Sequence, residues 1–215
     1  MLNHYRQHHL IWVARLFGRV RIPLLAGSLL LPASAGVAAD LPGGAPVLAT
    51  AQALFSATRA ESIPEEADIY GRLLGSWDLD IRIHCSDGTI ATGRGAVHFA
   101  RILQGHGVQD VWIGSAPPLP PMYGTTVRIF DPELGAWRIA WANPPINSRD
   151  TMIARREGDD IVQLTEPVDG KKKRWRFSEI KPDSFHWTGE TAKAGSNEWS
   201  LETEFFARRR PSAAR

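Results

Sequence analysis

Residues 75–85, Gly-Ser-Trp-Asp-Leu-Asp-Ile-Arg-Ile-His-Cys, constrain this chain more than any other stretch. Apolar side chains fall at Trp77, Leu79, Ile81, Ile83 and Cys85, with polar ones between them. A period of two is the pattern of a strand with one buried and one wet face. The turn sequence Ser86-Asp87-Gly88-Thr89 follows, and from there the chain repeats strand, turn, strand. Strand-like runs cover 76–85, 90–103, 108–114, 123–130, 136–142, 151–156, 161–165, 174–180, 185–191 and 198–207, bounded by Gly, Pro, Asn and Asp. Gly93 and Gly95 within the second run mark a bend or bulge. Residues 115–122 and 143–148 are too rich in proline for strand or helix and form rigid loops. About ten strands with short turns and no helices between them make an antiparallel meander. The expected class is all-β, an up-and-down barrel with a short N-terminal helix, because closure removes exposed edges. An open sandwich is the competing architecture.

Ser62-Ile63-Pro64-Glu65 supplies an N-cap, a first-turn proline and a capping-box glutamate, so a helix is expected to run to about Leu74 and end at Gly75. Residues 40–60 read as a linker with room for one loosely held helix, 61–208 as the barrel and 209–215 as a tail. Residues 1–39 carry four Arg, no acid, the apolar run 22–31 and small residues before Asp40. That is the layout of a secretory signal peptide and implies an exported chain, periplasmic or secreted. An uncleaved membrane anchor is the alternative; Pro23, Pro32 and the shortness of the apolar run count against it.

The formal charge of +2 belongs to that leader. Without it the chain is slightly acidic, with no global field to draw nucleic acid or anionic lipid. Lys171-Lys172-Lys173-Arg174 reads as a solvated turn, and Cys85, the sole cysteine, as a buried inert thiol. Metal-ligand spacings, nucleophile elbows and phosphate-cradling loops are missing from the sequence, so no metal or cofactor is expected.

A short capped helix, Gly75-x-Trp77 at the mouth of the first strand and a meander ending near Arg208 resemble the calycin superfamily, which includes lipocalins and fatty-acid-binding proteins. Runs 123–128, 137–138 and 185–190 are similar to an uncharacterised bacterial domain of lipocalin-like fold. The resemblance covers about 65–208. It implies a barrel in which Trp77 packs across the floor against an Arg, and it implies no established activity. Some calycin-like proteins hold haem through a His on the last strand; Trp199-Ser200-Leu201-Glu202 offers none there.

Seven tryptophans lie beyond the leader, and Trp77, Trp137, Trp141, Trp175, Trp187 and Trp199 each share a strand face with other apolar residues. Core filling is the plain explanation. A barrel of this size is also just wide enough for one small ligand, and aromatic walls with few polar groups are the usual lining. The candidate ligand contacts are Trp112, Trp137, Trp141, Trp175 and Trp187, with Tyr123, Asn143 and Arg149 where strands meet loops. The implied partner is a small hydrophobic or amphipathic molecule.

Most strand polar residues, Arg128 among them, are expected to face water. The facing of His98, Asp110 and Arg155 stays open, and an inward Arg would need a buried carboxylate. His98, Asp110, His186 and Glu190 are the candidates for acid/base chemistry. Three readings result: a binding barrel, a cyclase-, isomerase- or lyase-type enzyme using the same cavity, and a structural envelope protein with a filled interior.

Overall fold

The computed structural model describes residues 44–211; the basic leader and its exit site lie outside them, as does most of the tail. Helix α1 (Gly44–Leu54) leads into the two-residue strand β1 (Phe55–Ser56), which pairs with β3 (Ile90–Ile102). The alternation at 75–85 is β2 (Gly75–His84), with Trp77, Leu79 and Ile81 buried and Asp78, Asp80 and Arg82 exposed. There follow β4 (Gly107–Ser115), β5 (Met122–Asp131), β6 (Ala136–Asn143), β7 (Ser148–Glu157), β8 (Asp160–Leu164), β9 (Lys171–Ser178), β10 (Ser184–Lys193) and β11 (Ser200–Arg209).

From β2 on, each strand pairs antiparallel with the next, and β11 returns to β2 with Phe205 opposite Ile81. The ten strands therefore close. The result is a lipocalin-like up-and-down barrel in which every one of these strands has two neighbours, which a sandwich does not provide.

One end is sealed by residues 60–74, where Ile63, Ile69, Tyr70 and Leu73 are buried. The α-helix expected over this stretch is instead two single 3₁₀ turns, Glu65–Ala67 and Gly71–Leu73. The capping signal loses to tertiary contacts: Ser62 Oγ sits 3.4 Å from His106 Nδ1, and Asp68 is held by both outer nitrogens of Arg101 at 3.1 and 2.5 Å. A continuous helix would also bring 63, 67, 70 and 74 onto one stripe, whereas the fully buried set is 63, 69, 70 and 73. The α-helix of the described residues lies earlier, in the segment expected to be a linker.

The floor is a tryptophan under an arginine. Trp77 Nε1 donates to Leu73 O at 2.8 Å, and the Arg209 guanidinium lies 3.9 Å from the centre of its ring. Arg209 also donates to the carbonyls of Leu74, Arg72 and Pro182. The residue opposite Trp77 in the β2–β11 register is Arg209, while the expected Arg208 is exposed opposite Asp78. The barrel thus runs one residue further than anticipated.

Three other expectations change. Thr203 pairs with Gly189 but Leu201 pairs with Glu190, so Glu202 is an extra residue on β11. Such a bulge reverses the facing beyond it. Phe205 stays inside, while Trp199 moves to the outer surface, 4.3 Å from the Arg174 guanidinium and 4.9 Å from Lys172 Nζ. The basic run 171–174 is the first half of β9 rather than a solvated turn, since carboxylates hold it: Asp150 of β7 takes Lys173 and Glu190 of the adjacent β10 takes Arg174. Cys85, just past β2, is half-buried rather than enclosed.

Candidate functional site at the open end

The inward rows of the strands meet in an aromatic cluster. Phe99, Trp112, Phe177, Phe185, Trp187 and Phe205 lie ring to ring with centroids 4.8 to 6.5 Å apart, and Trp187 stacks on Phe205. Trp112 and Trp187 are therefore core, 4% and 7% exposed. Trp137 is part of the sealed end: its Nε1 donates to Ala67 O at 2.8 Å, and Tyr70 meets its ring edge-on at 5.2 Å.

Trp141 and Trp175 differ. Both continue inward rows toward the opposite end of the barrel, stand perpendicular at 5.6 Å, and remain partly exposed. Trp175 in turn lies 5.6 Å from Trp187, so the pair is the top of the cluster. Asp150 pairs with Trp141 in register and binds Lys173 Nζ at 2.7 and 2.8 Å. An indole pair and one ion pair thus face the open end.

The outer edge of the Trp141 ring lies against Gly124, where an added Cβ would stand 2.3 Å from it. Gly124→Ala is accordingly expected to destabilise the barrel by about 1–3 kcal/mol through overpacking and to shift the emission of Trp141. Chemical denaturation read at the tryptophans measures both effects.

Beside the indoles lies a layer of buried polar groups. Arg128 is 1% exposed and faces inward, contrary to the expectation for strand arginines. Its Nη1 is 2.6 Å from Oδ2 of Asp110, which is wholly buried; this is the carboxylate that an inward Arg demands. The guanidinium also lies 4.8 Å from the Tyr70 ring centre, 5.7 Å from Phe99 and 5.9 Å from Phe177. Asp110 Oδ1 accepts from the Thr126 backbone N–H at 2.9 Å. Gln163 Oε1 accepts from Tyr70 OH at 3.1 Å and from Arg128 Nε at 3.5 Å. Burial pushes the Tyr70 phenol well above its ordinary value, against the pull of Arg128. The sequence reading missed Arg128, Thr126, Gln163 and Tyr70 as a group. The available signal was the row Gly124-Thr126-Arg128-Phe130, but Val127 and Ile129 on the opposite face look the more apolar.

The remaining candidates lie outside the barrel or in its wall. His98 faces outward and meets Ser76 Oγ at 2.8 Å. Glu190 makes a two-point contact with Arg174, at 2.7 and 2.9 Å. Arg155 is exposed and donates to the carbonyls of Leu134 and Gly135. Tyr123, 59% exposed, borders an outer apolar groove of about 580 Å³ with Ile113 and Met122. The side chain of Asn143 is buried and accepts from the Tyr123 N–H at 3.3 Å; Arg149 is exposed beside it at the start of β7. Of the eight expected ligand contacts, Trp141 and Trp175 are the two that combine inward facing with open surface.

His186 also faces outward, stacked on Phe206 at 4.5 Å. Its Nε2 lies 3.1 Å from Glu204 Oε1, and His84 Nε2 lies 2.9 Å from Oε2 of the same carboxylate. Burial raises the pKa of Glu204, but the bonds and charge of the two histidines outweigh it and hold the group below its ordinary value. A lowered carboxylate pKa contributes stability above the unfolded value, and this is lost as pH falls through the folded one. A His84→Gln/His186→Gln variant is therefore expected to unfold at a higher pH in an acid titration followed by circular dichroism. An unchanged acid midpoint would contradict this.

No protein-family model and no curated protein sequence matches the chain. Among solved structures, the S-type phycobiliprotein lyase CPES from Guillardia theta is similar at 13% identity, over 68% of this chain and 93% of that one, with a TM-score of 0.48. Rv2717c from M. tuberculosis is similar at 14% identity, over 69% and 99%, with a TM-score of 0.48. The barrel EF1p2_mFAP2b, solved bound to DFHBI, is similar at 15% identity, over 68% and 100%, with a TM-score of 0.40. The assignment rests on the closed ten-strand meander itself: this chain is a lipocalin-like barrel.

Proposed function

We propose that the barrel binds a small planar apolar or amphipathic molecule at its open end, against Trp141 and Trp175. The observation that carries this reading is the contrast between the two ends. One is sealed by residues 60–74 and Arg209, while the other leaves two perpendicular indoles partly exposed above a packed aromatic cluster. Exposed aromatic surface held rigidly offers contact area at little ordering cost. The Lys173–Asp150 pair beside it supplies polar atoms for one end of an amphipathic ligand.

Titration with the uncharged fluorophore N-phenyl-1-naphthylamine is expected to give saturable quenching of tryptophan emission. Trp141→Leu and Trp175→Leu should each weaken it about tenfold, the combined worth of buried area and ring contact. Absence of saturable quenching would overturn the reading. It would favour a filled structural barrel, which the ring packing below Trp187 supports. An acid/base enzyme would have to work without histidine, because His84, His98, His106 and His186 all lie outside the interior, and Asp110 is committed to Arg128. We further propose that the chain acts after export, with residues 1–39 removed; N-terminal sequencing of protein recovered from the periplasm should begin at Asp40.

A further inference from the structure

Of the four buried polar atoms of this layer without a hydrogen bond, Asp110 Oδ2 and Arg128 Nη1 face each other as an ion pair at 2.6 Å, which leaves two with no partner in the protein: Gln163 Nε2 and Thr126 Oγ1. Their residues are 0% and 1% exposed. In register Thr126 stands opposite Trp141 and Gln163 opposite Trp175, so each lies next to one of the two indoles of the open end. The orientation of the Gln163 amide is fixed by its partners. Oε1 receives both Tyr70 OH and Arg128 Nε, which leaves Nε2 as a donor with nothing to meet. The Thr126 hydroxyl can donate as well. Buried unmet donors are rare and call for a partner.

The charge of this layer is already balanced. Arg128 has Asp110 at 2.6 Å as its counter-ion, and the rings of Tyr70, Phe99 and Phe177 surround the guanidinium. An entering carboxylate would find no free cation here, and it would meet Asp110 as a like charge in an apolar enclosure. A carbonyl, by contrast, accepts hydrogen bonds and brings no net charge.

We infer that the inner end of the site takes an uncharged hydrogen-bond acceptor of a planar ligand, a ketone, lactone or lactam carbonyl, docked on Gln163 Nε2 and Thr126 Oγ1, and that it rejects a carboxylate there. This rests on the ligand-binding reading above and narrows it to a chemical class. The indoles supply the apolar contact, and the two donors select the polar group.

Three naphthalenes of similar size test it, titrated against tryptophan emission: 2-acetylnaphthalene, 2-ethylnaphthalene and 2-naphthoate. The ketone is expected to bind about tenfold more tightly than the ethyl compound, the worth of one to two well-made hydrogen bonds. The carboxylate should bind more weakly than either. Thr126→Val keeps the shape and the backbone bond to Asp110, and should erase most of the ketone preference while leaving the ethyl affinity and the thermal midpoint in place. Gln163→Met removes the donor without adding a buried charge and should also erase most of the ketone preference, with some loss of thermal stability because Tyr70 and Arg128 lose their acceptor. Equal binding of ketone and ethyl compound, or unchanged preference in both variants, would overturn this inference and leave the binding function standing. So would preferred binding of naphthoate. Failure of all three ligands to bind would overturn both.

Discussion

Replacing Asp110 by alanine is expected to destabilise the barrel by about 3–5 kcal/mol, because it strands the Arg128 charge in the interior. Asp110 is wholly buried and Arg128 is 1% exposed, so no water can stand in for the lost carboxylate without opening the wall. The loss also frees the Thr126 N–H, which Asp110 Oδ1 accepts at 2.9 Å. The informative comparison is the double variant Asp110→Leu/Arg128→Met. It removes both charges together, so most of the stability should return, and the shortfall reports the bonds to Thr126 and Gln163. Urea denaturation of the three proteins measures this. A loss below about 1 kcal/mol for Asp110→Ala, the range of exposed ion pairs, would mean that the pair is solvated.

Arg209→Ala is expected to have the second largest effect, about 2–4 kcal/mol, through three orphaned carbonyls and a lost cation–π contact. The guanidinium joins Leu74 O and Arg72 O of the plug to Pro182 O of the β9–β10 turn while lying over Trp77. Arg209→Lys should recover little, since one ammonium cannot stack on the ring and reach all three carbonyls. Hydrogen exchange should show the damage first at Leu73, Leu74 and Trp77. Uniform loss of protection across all strands would instead place Arg209 outside the plug's local unit.

The architecture was legible because the strands carry a period of two and the turns carry Gly, Pro and Asp at the breaks. The ten strands and their order could be read from residues such as Trp77, Leu79 and Ile81 without any knowledge of pairing. Three things could not. The facing of Trp199 depended on one extra residue, Glu202, and this bulge carries no glycine or other signature in the strand that contains it. The plug at 62–74 has good capping chemistry for an α-helix, but Arg101, more than thirty residues away in sequence, decides its shape through Asp68. The polar layer was hidden because Thr126 and Arg128 occupy the inner row of β5 while Val127 and Ile129 occupy the outer one. Patterning alone points the arginine at water. The rule that an inward arginine requires a carboxylate was sound, yet it takes the β4–β5 register, with Asp110 opposite Thr126, to bring Asp110 beside Arg128. The candidate site was half legible for the same reason. All the indoles looked alike in sequence, and burial separates Trp141 and Trp175 from those that merely fill the core.

The most direct test of the binding account is a two-dimensional NMR titration of the indole N–H signals with N-phenyl-1-naphthylamine. The signals of Trp141 and Trp175 should shift saturably and that of Trp187 less, while Trp77 and Trp137, bonded to Leu73 O and Ala67 O, stay in place. Shifts confined to Trp199 on the outer wall, or none at saturating probe, would contradict it.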